Sequence, residues 1–269
     1  MSDAARLLAL QETLLARAQQ PPPRDWLPVL MAGHEVGIAS PEAARCLAVD
    51  TPHFALIDYR LVLIDDGLDA AGRSALLHDC ALRMRDAGLL RGWRDEQLDI
   101  RPAPQEAPIA SIERAACRTL GITTTAVHLN AFSPRGELIV ARRAPHKQID
   151  PGLWDNLVGG MVPAGESDLQ ALAREAREEA GLDLDASALT RGGRIHVTRQ
   201  VSEGFQSEIV EVFDTLLAVD IELRNQDGEV ATIERRAVAA VVEAIERDEF
   251  TLESALVTLD ALLRRAGGG

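Results

Sequence analysis

The order of the predicted elements indicates an α/β fold for most of the chain. In the second half, predicted strands alternate with predicted helices, which is the arrangement that packs helices against a sheet. Three prolines between residues 101 and 108 predict a linker between two domains. We therefore expect a smaller α+β domain over residues 1–108 and an α/β domain over residues 109–269.

Composition and charge argue against several classes of protein. The 269 residues include 28 basic and 42 acidic side chains, and the net charge of −14 is opposite to that of a nucleic-acid-binding surface. No run of 18 apolar residues and no secretory signal in residues 1–20 is present, so no membrane partner is expected. The cysteines Cys46, Cys80 and Cys117 lack metal-ligand spacing and are expected to be reduced thiols. These features favour a cytoplasmic protein.

The first domain is predicted to contain three helices and two strands. The helices are expected over residues 4–19, 41–48 and 70–87, and the strands over residues 54–64 and 93–101. Helical spacing makes core candidates of Leu7, Leu8, Leu14 and Leu15. Ser40 and Pro41 are typical of an N-cap and first helical residue. A turn is expected at Asp65-Asp66-Gly67.

The second domain is predicted to begin with a helix over residues 111–120, closed by Gly121. Strands are expected over residues 122–132, 137–142, 194–201 and 208–219, with a further strand ending at residues 158–160. Helices over residues 235–248 and 252–265 complete the domain, and Gly267-Gly268-Gly269 is expected to fray.

One motif carries most of the chemical information. It consists of Gly160, five residues, Glu166, seven residues, and then the run Arg-Glu-Ala-Arg-Glu-Glu-Ala-Gly-Leu over residues 174–182. Ser167 predicts the N-cap of a helix over residues 168–180, and Gln170 completes a capping box. A glycine-rich turn before a helix N-terminus allows the backbone to approach a phosphate, so we expect Gly160 to contact a phosphorylated substrate.

The predicted helix places three carboxylates on one face. Glu175, Glu178 and Glu179 are three and four residues apart, and their mutual repulsion favours a bound cation. Hard oxygen ligands suit Mg²⁺ or Mn²⁺. Arg174 lies one turn before Glu178 and can orient a carboxylate. The helix alone is equally consistent with a solvated acidic face.

The complete motif resembles the Nudix box, the signature of the Nudix hydrolases. This resemblance implies a mixed sheet sandwiched between helices and a metal-dependent enzyme that cleaves a diphosphate linkage. It also implies that Glu175, Glu178 and Glu179 bind metal, that Arg174 orients one of these glutamates, and that Glu166 lies behind them. The expected partner is therefore a small-molecule diphosphate substrate.

Residues 140–160 and 225–230 resemble a narrower Nudix subgroup, which is related to thiamine pyrophosphokinase fusions and carries an N-terminal domain of unknown function. This resemblance implies hydrolysis of thiamine diphosphate or its oxidised analogues to the monophosphate and phosphate. Arg142, Arg143 and Lys147 are candidates to hold the diphosphate, because guanidinium forks suit phosphate oxygens, although a solvated basic loop is the alternative. Trp154 is a candidate to stack on an aromatic ligand, with core packing as the alternative.

Several questions stay open at this point. Glu229 is a candidate for a further metal ligand or for the base that activates water, with a hairpin-turn acid as the alternative, and Glu175 is the rival base. Other substrates considered are ADP-ribose, a nucleotide sugar and a dinucleotide. A non-catalytic diphosphate-binding module and an isopentenyl-diphosphate-type isomerase, which would need Cys117 as its nucleophile, are the other classes. The roles considered for the N-terminal domain are a lid, substrate selection and homodimer formation.

Overall fold

The computed structural model describes residues 3–64, 67–147, 149–218, 220–226 and 228–267. The turn predicted at Asp65-Asp66, the end of the strand predicted to reach Val219 and the fraying predicted at Gly268-Gly269 lie outside these residues. The helices in the described ranges are α1 (Asp3–Ala18), α2 (Pro41–Asp50), α3 (Ala70–Asp86), α4 (Arg114–Thr119), α5 (Asp168–Ala180), α6 (Val238–Glu246) and α7 (Leu252–Gly267). The strands there are β1 (Leu27–Met31), β2 (His34–Ala39), β3 (Phe54–Ile57), β4 (Arg60–Leu63), β5 (Gln97–Ile100), β6 (Ala110–Glu113), β7 (Thr123–Phe132), β8 (Leu138–Arg143), β9 (Trp154–Asn156), β10 (Val158–Met161), β11 (Thr190–Val201), β12 (Gly204–Leu216) and β13 (Val230–Arg236).

A seven-stranded mixed sheet forms the centre of the C-terminal part. Its main path is β11-β12-β7-β8-β13, while β10 pairs with β7 and β9 pairs with β8. Strands β12 and β7 are parallel, and the other described pairs in this sheet are antiparallel. The predicted α/β class with a mixed sheet is confirmed.

Helices cover both faces of this sheet. Helix α5 buries Ala171, Leu172 and Ala176 against Val127 and Leu129 of β7. The opposite face packs on α6 and α7, whose apolar residues share a core with β11 and β12. Burying an apolar stripe from each helix on a sheet face gives the three-layer α/β/α sandwich that the resemblance implied.

The first helix packs with the C-terminal part of the chain. Leu7 and Leu14 of α1 are buried in the same core as α6 and α7. Leu8, predicted as a core position, is 50% exposed, so that expectation was wrong. Leu8 lies on the solvent side of the apolar stripe to which Leu7 and Leu14 belong.

The N-terminal part has its own smaller core. A four-stranded sheet in the order β2-β1-β4-β3 packs with α2 and α3, beside the antiparallel pair β5 and β6. The proline-rich stretch predicted as a linker connects β5 to β6 and is therefore a hairpin loop. This core extends from Val29 to Ile122. The division into residues 1–108 and 109–269 stays a prediction.

Several predicted elements differ from the structure, and three of these differences have a clear physical reason. Residues 54–64 form two strands, since Asp58 and Tyr59 take positive φ angles of 48° and 59° and turn the chain without a glycine. The helix predicted over residues 111–120 begins as β6, whose hydrogen bonds to β5 override its helical pattern. The helix predicted from residue 235 starts at Val238, because Arg235 and Arg236 pair with β8.

Candidate active site

Helix α5 has the local structure that its sequence predicts. The Ser167 side chain accepts a hydrogen bond from the Gln170 backbone, and the Gln170 side chain accepts one from the Ser167 backbone. Gly181 ends the helix in the left-handed conformation, with φ 63° and ψ 27°. Both ends are fixed by short-range interactions, which is why the predicted bounds are confirmed.

Arg174 gathers three carboxylates of the motif. Its Nη1 atom donates to Glu175 Oε1 at 2.9 Å and to Glu178 Oε2 at 3.0 Å. Its Nε atom lies 3.3 Å from both carboxylate oxygens of Glu166. Burial alone would lower the pKa of Arg174, but the charges of Glu175 and Glu166 outweigh it and raise that pKa. Arg174 therefore stays cationic and fixes the orientation of the glutamates around it.

Glu175 packs directly against the glycine turn. A Cβ atom at Gly160 would lie 2.2 Å from the Glu175 carboxyl carbon, so only glycine leaves room for this side chain. Glu175 exposes 15% of its side chain, and burial raises its pKa despite the neighbouring Arg174. The glycine of the motif thus serves to seat Glu175 next to the backbone of β10.

Glu179 lies deeper than the other two glutamates. It is 8% exposed, and its Oε2 atom accepts a hydrogen bond from the Gly159 backbone N–H at 2.9 Å. Burial raises its pKa well above the ordinary value, and the charge of Glu175 adds to this effect. A cation beside the pair would relieve both the burial and the repulsion.

The donor set suits a divalent cation, although the three carboxylates are not gathered around one point. In the described ranges, no cluster of three or more histidine, cysteine, aspartate or glutamate side chains has the geometry of a metal site. The carboxylates of Glu175 and Glu178 instead form ion pairs with Arg174. Buried carboxylate oxygens at Glu175 and Glu179 nevertheless match the hard oxygen ligands that Mg²⁺ and Mn²⁺ prefer.

Glu175 and Glu179 line a cavity of about 170 Å³. The other charged residues of its wall are Arg114, Arg118, Arg143, Lys147, Asp150, Asp155, Arg199, Glu208, Glu229 and Glu253. Acidic and basic side chains thus line the same small space. Such a lining offers basic groups for the oxygens of a phosphate group and carboxylates for a metal.

Two of the predicted basic residues face this cavity. Arg143 Nη1 donates to Asp155 Oδ2 at 3.0 Å, and its Nη2 donates to the Ile149 carbonyl oxygen at 2.9 Å. Lys147 forms an ion pair with Glu229. Burial would raise the pKa of Glu229, but the hydrogen bond and charge of Lys147 reverse this and lower it. Glu229 is therefore ionised at neutral pH.

Arg142 and Trp154 lie elsewhere among the described residues. Trp154 is 7% exposed and belongs to the core beneath α7. The guanidinium carbons of Arg142 and Arg236 lie 5.5 Å and 4.7 Å from the centre of its ring. Successive residues of a strand face opposite sides of the sheet, so Arg143 faces the cavity while Arg142 packs on the tryptophan. Core packing, the alternative stated for Trp154, agrees with this placement.

Sequence reasoning missed seven charged residues of the cavity wall, which are Arg114, Arg118, Asp150, Asp155, Arg199, Glu208 and Glu253. Arg114 and Arg118 come from α4, which packs with the N-terminal core, and no motif distinguishes them. Glu208 lies on β12, and Glu253 lies in the first turn of α7. Charged residues at inward positions of a buried strand are the only signal that could have indicated Glu208.

Comparisons with known proteins agree with this geometry. Residues 122–257 match the NUDIX domain, and residues 10–124 match a domain of unknown function (DUF4743). The chain therefore belongs to the Nudix family.

The chain is also similar to several curated proteins and solved structures. Nudix hydrolase 20, chloroplastic, of Arabidopsis thaliana is 30% identical over 71% of this chain and 53% of its own length. An Escherichia coli isopentenyl-diphosphate Delta-isomerase is 29% identical over 53% of this chain and 78% of its own length. A crystal structure from Deinococcus radiodurans has a TM-score of 0.48 and 25% identity, and covers 63% of this chain and 98% of that one. The chain spans about half the length of the plant relatives it matches.

The cysteine that an isomerase would need is not available for chemistry. Cys117 is 3% exposed, and burial raises the pKa of its thiol to about 12. A thiol with such a pKa is protonated at neutral pH and is a poor nucleophile.

None of the helices in the described part of the chain combines the length and the apolar composition needed to cross a membrane.

Proposed function

We propose that this protein is a metal-dependent hydrolase that cleaves a diphosphate linkage. The observation that carries the proposal is the meeting of Glu175 and Glu179 with Arg143 and Lys147 in one cavity. The carboxylates suit a divalent cation and the basic residues suit phosphate oxygens.

Glu175, Glu178 and Glu179 would hold Mg²⁺ or Mn²⁺. When bound, such an ion lowers the pKa of water and neutralises charge on phosphate oxygens. Arg174 positions Glu175 and Glu178 for this task. Glu229, kept ionised by Lys147, is our candidate to accept the proton from the attacking water, and Glu175 is its rival.

The proposed substrate is thiamine diphosphate or one of its oxidised analogues. The acidic protein and the acidic residues of the cavity support a substrate whose organic part is cationic. A nucleoside diphosphate derivative such as ADP-ribose, a nucleotide sugar or a dinucleotide is the second candidate, and the family membership supports it.

The first test is phosphate release in Mg²⁺ from a panel of diphosphates. The panel contains thiamine diphosphate, its oxidised analogues, ADP-ribose, a dinucleotide and a nucleoside triphosphate. Preference for the thiamine compounds supports the proposed substrate. Preference for ADP-ribose or a nucleotide keeps the reaction and replaces the substrate. No release from any compound favours a non-catalytic diphosphate-binding module.

The second test is the Glu178→Gln variant. This change keeps the size of the side chain and removes one proposed metal ligand, so we expect turnover in Mg²⁺ to fall by about 100-fold or more, the effect of removing one strong electrostatic contact. Glu234→Gln changes the same charge at an exposed position of β13 and serves as the control. Wild-type turnover in Glu178→Gln, at an unchanged melting temperature, would contradict the site assignment.

We further propose that the N-terminal part selects the substrate. Its support is α4, which packs with the N-terminal core and places Arg114 and Arg118 in the cavity wall. A homodimer and a cytoplasmic location stay predictions, and the plant relatives are named as chloroplastic proteins.

A further inference from the structure

Glu208 is a buried carboxylate on the wall of the candidate active site. It lies on β12, is 8% exposed, and lines the same cavity as Glu175 and Glu179. Buried charged groups in proteins are nearly always paired or hydrogen-bonded, because an isolated buried charge is costly. Among the described residues, the structure shows no hydrogen bond or ion pair to the Glu208 carboxylate.

Glu253, the neighbouring acid on this wall, has hydrogen-bond donors beside it, in contrast to Glu208. Glu253 Oε1 accepts hydrogen bonds from Arg199 Nη2 at 3.1 Å and from Gln206 Nε2 at 2.9 Å. Glu253 is thus compensated within the protein, while Glu208 opens onto the cavity. Burial, followed by the charge of Glu253, raises the pKa of Glu208, while the charges of Arg118 and Arg114 act in the opposite direction. Neither arginine forms an ion pair with Glu208 in the described part of the chain, so a ligand in the cavity can supply the direct partner.

The sheet sets Glu208 apart from the metal-binding carboxylates. Strand β7 lies between β12 and β10, and β10 carries Gly160, against which Glu175 packs. Two strand spacings amount to about 10 Å. This separation is several times a metal–oxygen bond of about 2.0–2.6 Å. Glu208 therefore lies on a strand away from the one against which Glu175 packs, where the organic part of a substrate would be if its phosphates were bound at Glu175 and Glu179.

We propose that Glu208 binds a positively charged group on the organic part of the diphosphate substrate and thereby determines specificity. This inference rests on the proposed diphosphate hydrolase activity for the placement of the phosphates. A negatively charged group would be repelled by both Glu208 and Glu253. A neutral group would leave the buried charge of Glu208 uncompensated.

The test compares two substrates that differ in one charge. They are thiamine diphosphate and its analogue in which a neutral thiophene ring replaces the cationic thiazolium ring. Phosphate release and calorimetric Kd are measured in Mg²⁺ for the wild type, Glu208→Gln and the control Glu234→Gln. Loss of a charge-assisted contact is expected to raise KM and Kd of Glu208→Gln for the cationic compound about tenfold or more. The values for the neutral compound should stay within about twofold of wild type, a change of less than 0.5 kcal/mol.

The melting temperature separates a binding role from a structural one. Removing an uncompensated buried charge should leave the melting temperature of Glu208→Gln unchanged or raise it. A lower melting temperature, with equal loss for both compounds, would overturn the proposal, as would unchanged constants for both. Selective loss of cation binding without phosphate release by the wild type would support the Glu208 site and contradict the proposed hydrolase. If the wild type hydrolyses the cationic compound and Glu208→Gln leaves its KM and Kd unchanged, the proposed hydrolase is supported and the Glu208 site is contradicted.

Discussion

Gly160 shows how one residue can couple the backbone to the chemistry of the site. Its missing side chain leaves the space that the Glu175 carboxylate occupies, since a Cβ atom there would lie 2.2 Å from the carboxyl carbon. The sequence suggested that Gly160 contacts phosphate directly. The structure adds a second reason for glycine at this position, which is the seating of Glu175.

Gly160→Ala should therefore impair catalysis more than folding. Displacing Glu175 by about 1 Å is expected to lower kcat/KM by about 100-fold, as small misplacements of catalytic groups do. The control is Gly267→Ala, because a Cβ atom there has no neighbour within 4 Å. Steady-state kinetics of both variants would check this, and near-wild-type activity of Gly160→Ala would show that Glu175 can move without cost.

Lys147 controls the protonation of the candidate base. The Lys147 ammonium group lowers the pKa of Glu229, so Lys147→Met should raise that pKa. If Glu229 accepts the proton, the acid limb of the pH profile of kcat/KM should move to higher pH. The profile is measured for the wild type, Lys147→Met and Glu229→Gln. An acid limb that stays in place in both variants would favour Glu175 as the base.

At the scale of elements, the ends of α5 are set by residues within its own segment, whereas the stability of α1 depends on residues far along the chain. Helix α5 is capped by Ser167 at its start and by Gly181 at its end, and both residues lie within the motif. Helix α1 is also formed by its own pattern, but its partner lies far along the chain. An isolated helix of this length is marginal in water, so its stability depends on the surface that it covers.

The docking of α1 can be tested with two leucines of the same helix. Leu14 is 3% exposed in the core shared with α7, and Leu8 is 50% exposed. Leu14→Ala should lower the free energy of unfolding by about 2–5 kcal/mol, whereas Leu8→Ala should change it by less than about 0.5 kcal/mol. Urea unfolding of both variants measures this difference. Similar values for the two would mean that α1 is not anchored on α7 in solution.

At the scale of the whole molecule, the candidate active site is built by both parts of the chain. Residues of α5, β8 and β12 supply carboxylates and basic groups, and α4 adds Arg114 and Arg118. Arg114 also pairs with Glu96 at 2.7 Å, and Arg118 lies 3.6 Å from Glu203. These ion pairs hold the two arginines beside the cavity and leave further donors for a ligand.

Arg118→Ala tests whether the N-terminal part contributes to substrate binding. Losing one charge-assisted contact to the diphosphate should raise KM by about tenfold, with a smaller effect on kcat. Arg45→Ala removes the same charge from an exposed position of α2 and is the control. KM and kcat of the wild type, Arg118→Ala and Arg45→Ala are measured with the compound that the diphosphate panel shows to be preferred. Equal KM values for both variants and the wild type would restrict the site to the C-terminal part.

The sequence by itself determined what depends on short separations along the chain. The capping residues of α5, the spacing of Glu175, Glu178 and Glu179, and the turn that ends at Glu166 are all set within residues 160–182. The alternation of strands and helices likewise gave the α/β class. These features depend on backbone geometry and helical periodicity, which a sequence pattern records directly.

Only the tertiary structure decided which distant residues meet. It placed Trp154 in the core and Arg143 in the cavity, docked α1 on α7, and made the proline-rich stretch a hairpin loop. It also brought Arg118 and Glu208 to the same wall, although they are far apart in the chain. Such contacts depend on how the sheet and its helices pack in three dimensions, and no local pattern encodes which distant residues a side chain meets.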